Sequence, residues 1–510
     1  MNPLYVIPTL TKNKMTSKKK GKATVLSRDL TKGDKAVLFI LSSGIFGVLF
    51  VATYLMFSVM SMAIMVVGGV TLFYYLFKVR SRTTFSVNNK KRKPSLLCFL
   101  LLITPLLFSL SIFYEGLSLG MSILRVVLVW GFTVNFWVVM LFVPMAVYSR
   151  QKENYSKPSV LPFVSVIVPA YNEEKVIAST IKSLMNLSYP KKEIIIVDDG
   201  SKDRTLEIAR LFQNSITVLH KKNGGKASAL NFGTKHARGE IIVIVDADTI
   251  LEKNALRSMV NGFTTNKNLG AVGGNIKIRN RSNLITWCQS LEYIAGINIV
   301  RRAFDIFGTI NMVPGAFGAF KKSELLKVNG FNDDTIVEDF DATIRLIKNG
   351  VTAQANNNAI AYTEAPQTLG AFCMQRKRWY RGNLQVFVKH IDVLLNPKSS
   401  ALYNLIFPFM LLSMLVLPSI GMIIVGASIF AILSGEGLFV LTIFTLFIIL
   451  QHLQSALAVR LDGESPKVIA YSFFAVVGYK QIVDFLLIKA SFDAFLKRKA
   501  VWTRVKRIGE

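Results

Sequence analysis

Two blocks of apolar sequence, both long enough for membrane-spanning helices, bracket a central stretch of ordinary soluble composition. The first block holds Ala36–Phe77, Ser95–Phe113 and Ile123–Val147, and the second holds Ala401–Leu433, Leu438–Val459 and Val468–Ile488. At about 20 residues per crossing, these runs predict four spans over residues 36–148 and two or three over 398–490. Ala36–Phe77 would form two helices with a tight turn near Ser58–Ser61, and the run is too long for a cleaved leader. The segment Tyr114–Gly120 reads as a short loop between spans. The third C-terminal run is weaker because it carries Lys480 and Asp484 on one helix face. Buried in lipid, such a pair is costly, so the helix either lines a polar path or lies at the interface.

Charge supports this division. The chain has 61 Lys+Arg against 31 Asp+Glu, a formal net charge of +30. Much of the surplus sits beside apolar runs, at Lys18–Lys20, Lys90–Lys93 and the Lys497–Arg507 tail. Basic loops next to spans mark the cytosolic side, so the partner they indicate is the lipid bilayer. No nucleic-acid recognition motif accompanies them, and nucleic acid is excluded as a partner. Residues 1–35 read as a disordered basic terminus and 491–510 as a basic cytosolic tail. If the third C-terminal run spans, that tail would lie outside, against the charge rule. Three dispersed cysteines and four scattered histidines give neither a disulfide framework nor a zinc site. Any metal should therefore be a hard cation held by carboxylates.

Residues 149–397 alternate short β-branched runs with helical patterns. Val164–Val168, Ile194–Val197, Ile216–Leu219 and Ile241–Val245 are continuous apolar strands. They predict a parallel α/β sheet covered on both faces, with its ligand crevice at the strands' carboxyl ends. Each of three strand ends carries polar groups. Val164–Val168 runs through Pro169 and Ala170 into Tyr171, Asn172 and Glu173, with a helix expected from about Glu174. Ile194–Val197 ends in Asp198 and Asp199. These can accept hydrogen bonds from a base or ribose, or cap the next helix; Asp203 reads as a cap and Asp199 as a ligand group. Ile241–Val245 ends in Asp246-Ala247-Asp248. On an extended chain, carboxylates at i and i+2 point the same way, a suitable seat for Mg²⁺ and a diphosphate.

Asn223-Gly224-Gly225-Lys226 fails as a phosphate loop, since His220 and Ala227 replace its glycine and hydroxyl residue. Lys226 remains either a diphosphate contact or a solvated lysine. Val337–Gly350 predicts a helix with an apolar face of Phe340, Ile344 and Ile347, stopped at Gly350. Glu338 and Asp339 fall at its start, where they either act as a general base or only complement the helix dipole. Gln375, Arg378 and Trp379, spaced i, i+3, i+4, share one helix face. That face suits a phosphate and a sugar ring, while the other face reads as interfacial.

Together these motifs resemble the processive members of family 2 glycosyltransferases, the synthases of cellulose, hyaluronan, chitin and poly-N-acetylglucosamine. The resemblance runs over Val164–Lys389 and rests on PAYNE (Pro169–Glu173), VDDGS (Val197–Ser201), GGKASALN (Gly224–Asn231), DAD (Asp246–Asp248), VED (Val337–Asp339) and QRKRW (Gln375–Trp379). It implies a GT-A nucleotide-sugar transferase domain inserted between transmembrane helices, with inverting chemistry on a UDP-sugar. By that analogy Ala170, Tyr171, Glu173, Asp199, Lys226 and Asp246 hold the donor. Gln375, Arg378 and Trp379 close over it. Asp248 with Asp246 would hold Mg²⁺ or Mn²⁺, and Asp339, beside Glu338, would be the base. Gly315, Phe317 and Gly318, with Trp379, would shape the acceptor site. The implied product is a β-linked polysaccharide made at the plasma membrane and extruded through the enzyme's own helices. A small accessory membrane subunit would be a possible partner; transfer of one sugar to a lipid carrier or glycolipid is the rival reading, and a non-catalytic transporter or receptor with a dead transferase domain is the alternative of another class. The chain departs from the family pattern where Val337 replaces a threonine and in its four leading spans. Trp502-Thr503-Arg504 only weakly resembles a gating-loop motif.

Overall fold

In a computed structural model, the described residues are 33, 36–45, 47, 112–152, 161–266, 268–396, 401–496 and 498. The expectations for residues 1–32 and 48–111, and for Trp502–Arg504, lie outside them.

Before the central domain, residues 112–118 are helical and turn at Leu119–Gly120, so the expected loop is mostly helix. Helix α1 (Ile123–Lys152) follows, five residues longer than the apolar run alone.

The central domain begins with β1 (Val164–Ala170), α2 (Ile177–Met185), β2 (Lys192–Asp198), α3 (Thr205–Arg210), β3 (Thr217–His220), α4 (Lys226–His236) and β4 (Ile241–Val245). It continues through β5 (Ile250–Leu251), α5 (Ala255–Thr265), β6 (Leu269–Ile278), α6 (Leu284–Leu291), a π-helical turn (Glu292–Asn298) and α7 (Ile299–Asp305). Then come β7 (Phe317–Lys321), α8 (Lys322–Lys327), α9 (Glu338–Lys348), β8 (Thr352–Thr363) and α10 (Leu369–Lys389). The sheet order is β3-β2-β1-β4-β7-β6-β8-β5.

The four strands read from the sequence are parallel, as the βα alternation requires. The sheet as a whole is mixed, because β7 runs antiparallel to both β4 and β6. That reversal positions the site. It sets Val245, at the end of β4, opposite Phe317, at the start of β7, and so delivers the Pro314–Ala316 turn to the crevice. The strands bury their side chains on both faces, in one cluster with α2 and α5 and another with α4, α8 and α9.

Three C-terminal segments are long and apolar enough to cross a membrane: α11 (Phe407–Leu433), α12 (Gly437–Leu461) and Pro466–Phe495. The last is broken at Val477 and Gly478, whose backbone is non-helical, with Gly478 at φ 91°. Its final helix, α13 (Lys480–Phe495), is only 16 residues long and packs on α10 and α11. It also extends five residues into the stretch expected to be tail. Lys480 and Asp484 pair with each other there. Helix α1, α12, and the α6–α7 ridge share one apolar cluster that includes Phe142, Phe304 and Leu457.

Candidate active site

The crevice gathers the polar ends of β1, β2 and β4. Ala170 is buried, and its carbonyl accepts the Asp199 amide at 2.9 Å, joining the first two motifs. Tyr171 and Glu173 follow, both half-buried. Between them Asn172 takes a left-handed φ of 56°, and its side chain accepts from the Lys202 amide at 2.7 Å. The Glu173 amide donates to Thr205 Oγ1, and the helix starts at Ile177, after a turn. Asp203 accepts from the Thr205 amide and hydroxyl and from the Glu174 amide, one residue before the cap position, Arg204, which has no side-chain cap bond. Asp199 is buried and holds the glycine loop: its carboxylate accepts from the Gly224 and Gly225 amides and from Lys221 Nζ. Asp198 accepts from the Ser201 amide and pairs with His220.

Lys226, at the first position of α4, is no solvated lysine. Its ammonium lies 2.7 Å from Asp246 and 3.2 Å from Glu338. Burial works against its charge, but Asp246, Glu338 and Asp339 outweigh that and hold its pKa well above the usual lysine range. Asp339 accepts from the Gly315 amide at 2.6 Å and from its own helix's Phe340 amide at 2.8 Å. Burial and the neighbouring Glu338 charge push the Asp339 carboxyl up to about 6, against Lys226 and the two amides. A methyl at Gly315 would lie 2.9 Å from both Asp339 Oδ2 and Lys226 Nζ. Only glycine leaves that gap open. Lys226, Asp246, Gly315, Glu338 and Asp339, from four segments, thus meet in one cluster.

Asp246-Ala247-Asp248 does not continue the strand. The Thr249 amide donates to the Asp246 carbonyl at 3.0 Å and closes a turn, so the extended-chain argument for convergent carboxylates does not hold. Asp246 faces Lys226, whereas Asp248 is buried and accepts from Thr249 and Thr363. Among the described residues no group of three or more His, Cys, Asp or Glu side chains is arranged to hold a metal ion. Two hard carboxylates on one turn suit Mg²⁺ or Mn²⁺ nonetheless, because Mg²⁺ takes one or two carboxylates and completes its shell with substrate phosphates and water.

Of the expected acceptor turn, only Gly315 reaches the carboxylates. Phe317 is fully buried in β7, where its ring leaves no room for a side chain at Gly274, and a Cβ on Gly318 would strike Val313 and the Pro314 carbonyl. Both shape the sheet beneath the crevice. Gln375 is buried on α10, and Arg378 and Trp379 are half-buried. Helix α10 meets the VED segment at Gly382, where a Cβ would lie 2.6 Å from Val337 Cγ1. The valine that replaces threonine here is therefore a packing residue.

Residues that sequence reasoning missed lie at the domain's joints. Asp462 and Glu464, just past α12, receive Lys277, Arg281, Asn275 and Asn298. Arg376 is fully buried against Glu292. The first had only two acids in a short loop between apolar runs to mark it, and these do not say where they dock.

A family model for glycosyl transferase family 2 matches residues 165–327. The chain is 33% identical over 279 residues to the poly-beta-1,6-N-acetyl-D-glucosamine synthase of Staphylococcus epidermidis, a match covering 53% of this chain and 68% of that protein. This chain belongs to glycosyl transferase family 2. The synthase of the same name from Staphylococcus aureus strain COL is 35% identical over 263 residues, 51% of this chain and 64% of that protein. This family 2 chain therefore matches about two thirds of the length of these relatives. The mannosyltransferase PcManGT from Pyrobaculum calidifontis, solved in complex with GDP-Man and Mn²⁺, superposes with a TM-score of 0.56 at 22% identity, covering 74% of this chain and all of that one. That likeness is one of fold.

Proposed function

We propose that this family 2 transferase is membrane-integrated, uses a UDP-sugar, UDP-N-acetylglucosamine first among candidates, and builds a β-linked polysaccharide that it passes through its own helices. In this reading residues 149–397 face the cytosol, the flanking apolar segments anchor them in the plasma membrane, and a small accessory membrane subunit remains a possible partner. The observation that carries the proposal is the cluster of Asp339, Glu338, Lys226 and Asp246 around Gly315 at the end of the central strand. The synthases it resembles in sequence supply the substrate class.

Each residue has a task that its surroundings suit. Tyr171, Glu173 and Asp199 rim the crevice where the base and ribose would lie, Asp199 doing so by shaping the glycine loop. Lys226 neutralises charge on the departing diphosphate. Asp246 and Asp248 would hold Mg²⁺ or Mn²⁺, which when bound supplies Lewis-acid stabilisation of that leaving group. Asp339 removes the proton from the acceptor hydroxyl as its oxygen attacks the anomeric carbon. The bond to the diphosphate breaks on the opposite side, UDP leaves, and an α-donor gives a β-link. Gln375, Arg378 and Trp379 lie on a helix braced against Val337, directly beside the base, and would cover donor and acceptor.

The test separates products by size. Protein in lipid is given radiolabelled UDP-N-acetylglucosamine with Mg²⁺ or Mn²⁺. High-molecular-weight label supports the polymerase. Label confined to short or lipid-soluble product replaces it with single-sugar transfer, and no turnover with this donor, UDP-glucose or UDP-glucuronate removes the enzymatic reading.

A further inference from the structure

Arg376 lies inside the QRKRW motif, and its contacts are with its own helix, the π-helical turn and the last apolar segment. Its side chain has no exposed surface. The guanidinium lies over the Trp379 ring, 4.4 Å from its centroid, and over Phe372 at 4.8 Å. Residues 372, 376 and 379 are spaced i−4, i, i+3 on α10, so the contact is built into one helix face. One guanidinium nitrogen donates to Glu292 and lies 3.4 Å from the Tyr479 hydroxyl, and another donates to Gln375 at 2.8 Å. Tyr479 itself donates to Glu292. Glu292 opens the π-helical turn, and its neighbour Tyr293 bounds Trp379 at a ring-centroid distance of 6.3 Å. Tyr479 directly follows the non-helical Val477 and Gly478. Three segments therefore share one guanidinium: the QRKRW helix with Trp379 and Gln375, the π-helical turn at Glu292, and the break in the last apolar segment at Tyr479.

We propose that Arg376 is a positioning residue that fixes the plane of Trp379 and ties it, through Glu292 and Tyr479, to the break at Val477–Gly478. A planar, permanently charged guanidinium is suited to this, because it can stack on an indole and bond a carboxylate in the same plane. Lysine retains the charge and loses the stack. π-helical turns concentrate at functional sites because they place side chains that an α-helix cannot. The consequence is mechanical: displacement of the segment after the break is felt at Trp379 before it reaches the carboxylates. The importance of Trp379 to transfer rests on the function proposed above.

The test uses the full chain in lipid and two readouts. The first is acrylamide quenching of the Trp379 emission, obtained as the difference between each protein and its Trp379→Phe counterpart; it needs no reaction. The second is the steady-state transfer rate with its donor KM. Arg376→Lys should roughly double the quenching and lower kcat about tenfold, with donor KM within about twofold. Tyr479→Phe should shift both readouts the same way by less. Arg376→Met alone strands the Glu292 carboxylate, so the paired variant Arg376→Met/Glu292→Gln serves as the apolar control and should match or exceed Arg376→Lys. Unchanged Trp379 quenching in the folded variants overturns the proposal. So does altered quenching with wild-type kcat. If the unsubstituted protein transfers no sugar, the functional reading fails while quenching still decides whether Arg376 sets the indole.

Discussion

At the scale of single residues, the chemistry concentrates where Gly315 lets an amide touch Asp339. Because burial and Glu338 raise the Asp339 carboxyl to about 6, the proposed base is largely ionised only above that pH. The free enzyme's kcat/KM should therefore fall as pH drops through about 6. Glu338→Gln removes the neighbouring negative charge, and the acid limb should then move to lower pH. A limb that stays fixed in Glu338→Gln would assign it to another group. Gly315→Ala places a methyl 2.9 Å from both Asp339 and Lys226. Forcing those groups apart should cost about 100-fold in kcat, as misplacement by an ångström does, with unfolding temperature little changed. Steady-state kinetics alongside a thermal scan checks both halves. Asp199 and Lys226 show the reach and limit of the sequence at this scale. The strand-end position of Asp199 is legible, because buried strands announce themselves as apolar runs; the helix that starts at Lys226 is not. Their partners are not, because Lys221 and the glycine amides meet Asp199 only through the fold.

Among elements, α10 packs on the VED segment that carries the proposed base. Gly382 sits against the Val337 methyls, so Gly382→Ala overpacks the joint by about 1–3 kcal/mol and should shift α9. Val337→Ala in the same chain should restore both stability and kcat; failure of that rescue would mean the two do not share the contact. The parallel strands and helix α9 were legible from periodicity, and the helix carrying Gln375, Arg378 and Trp379 from their spacing, whereas α4 was not read. The antiparallel entry of β7 was not: Phe317-Gly318-Ala319-Phe320 carries the same apolar signal in either direction, and only pairing with Val245 and Ala271 fixes its sense. The turn at Asp246–Thr249 was missed for a related reason. A single amide-to-carbonyl bond closes it, and nothing in the residue pattern marks it.

For the molecule as a whole, the joint between sheet and apolar helices is ionic. Lys277 and Arg281 from the β6 region meet Glu464 at 2.9 and 2.7 Å, just beyond α12. Burial opposes the Glu464 charge, but Arg281 and Lys277 prevail and draw its carboxyl down to about 2. A depressed folded-state pKa stabilises the fold at pH above the unfolded value. That contribution, at most about 3 kcal/mol, is lost as pH falls from about 4.5 toward 2. Glu464→Gln should lose it at neutral pH and flatten acid unfolding across that window, as followed by tryptophan emission. An unchanged acid profile would make the pair ornamental. The C-terminal apolar block was legible because membrane length is a coarse signal. The break at Gly478 and the acids of this joint were not, since a lone glycine or two loop carboxylates carry no mark of where they dock. The most direct measurement of the central claim is UDP release from UDP-N-acetylglucosamine by wild type and Asp339→Asn in lipid, with metal present. The account predicts acceptor-dependent release in wild type and its loss by about 1,000-fold or more in the variant, the scale of removing a catalytic base. Equal release by both proteins would contradict it.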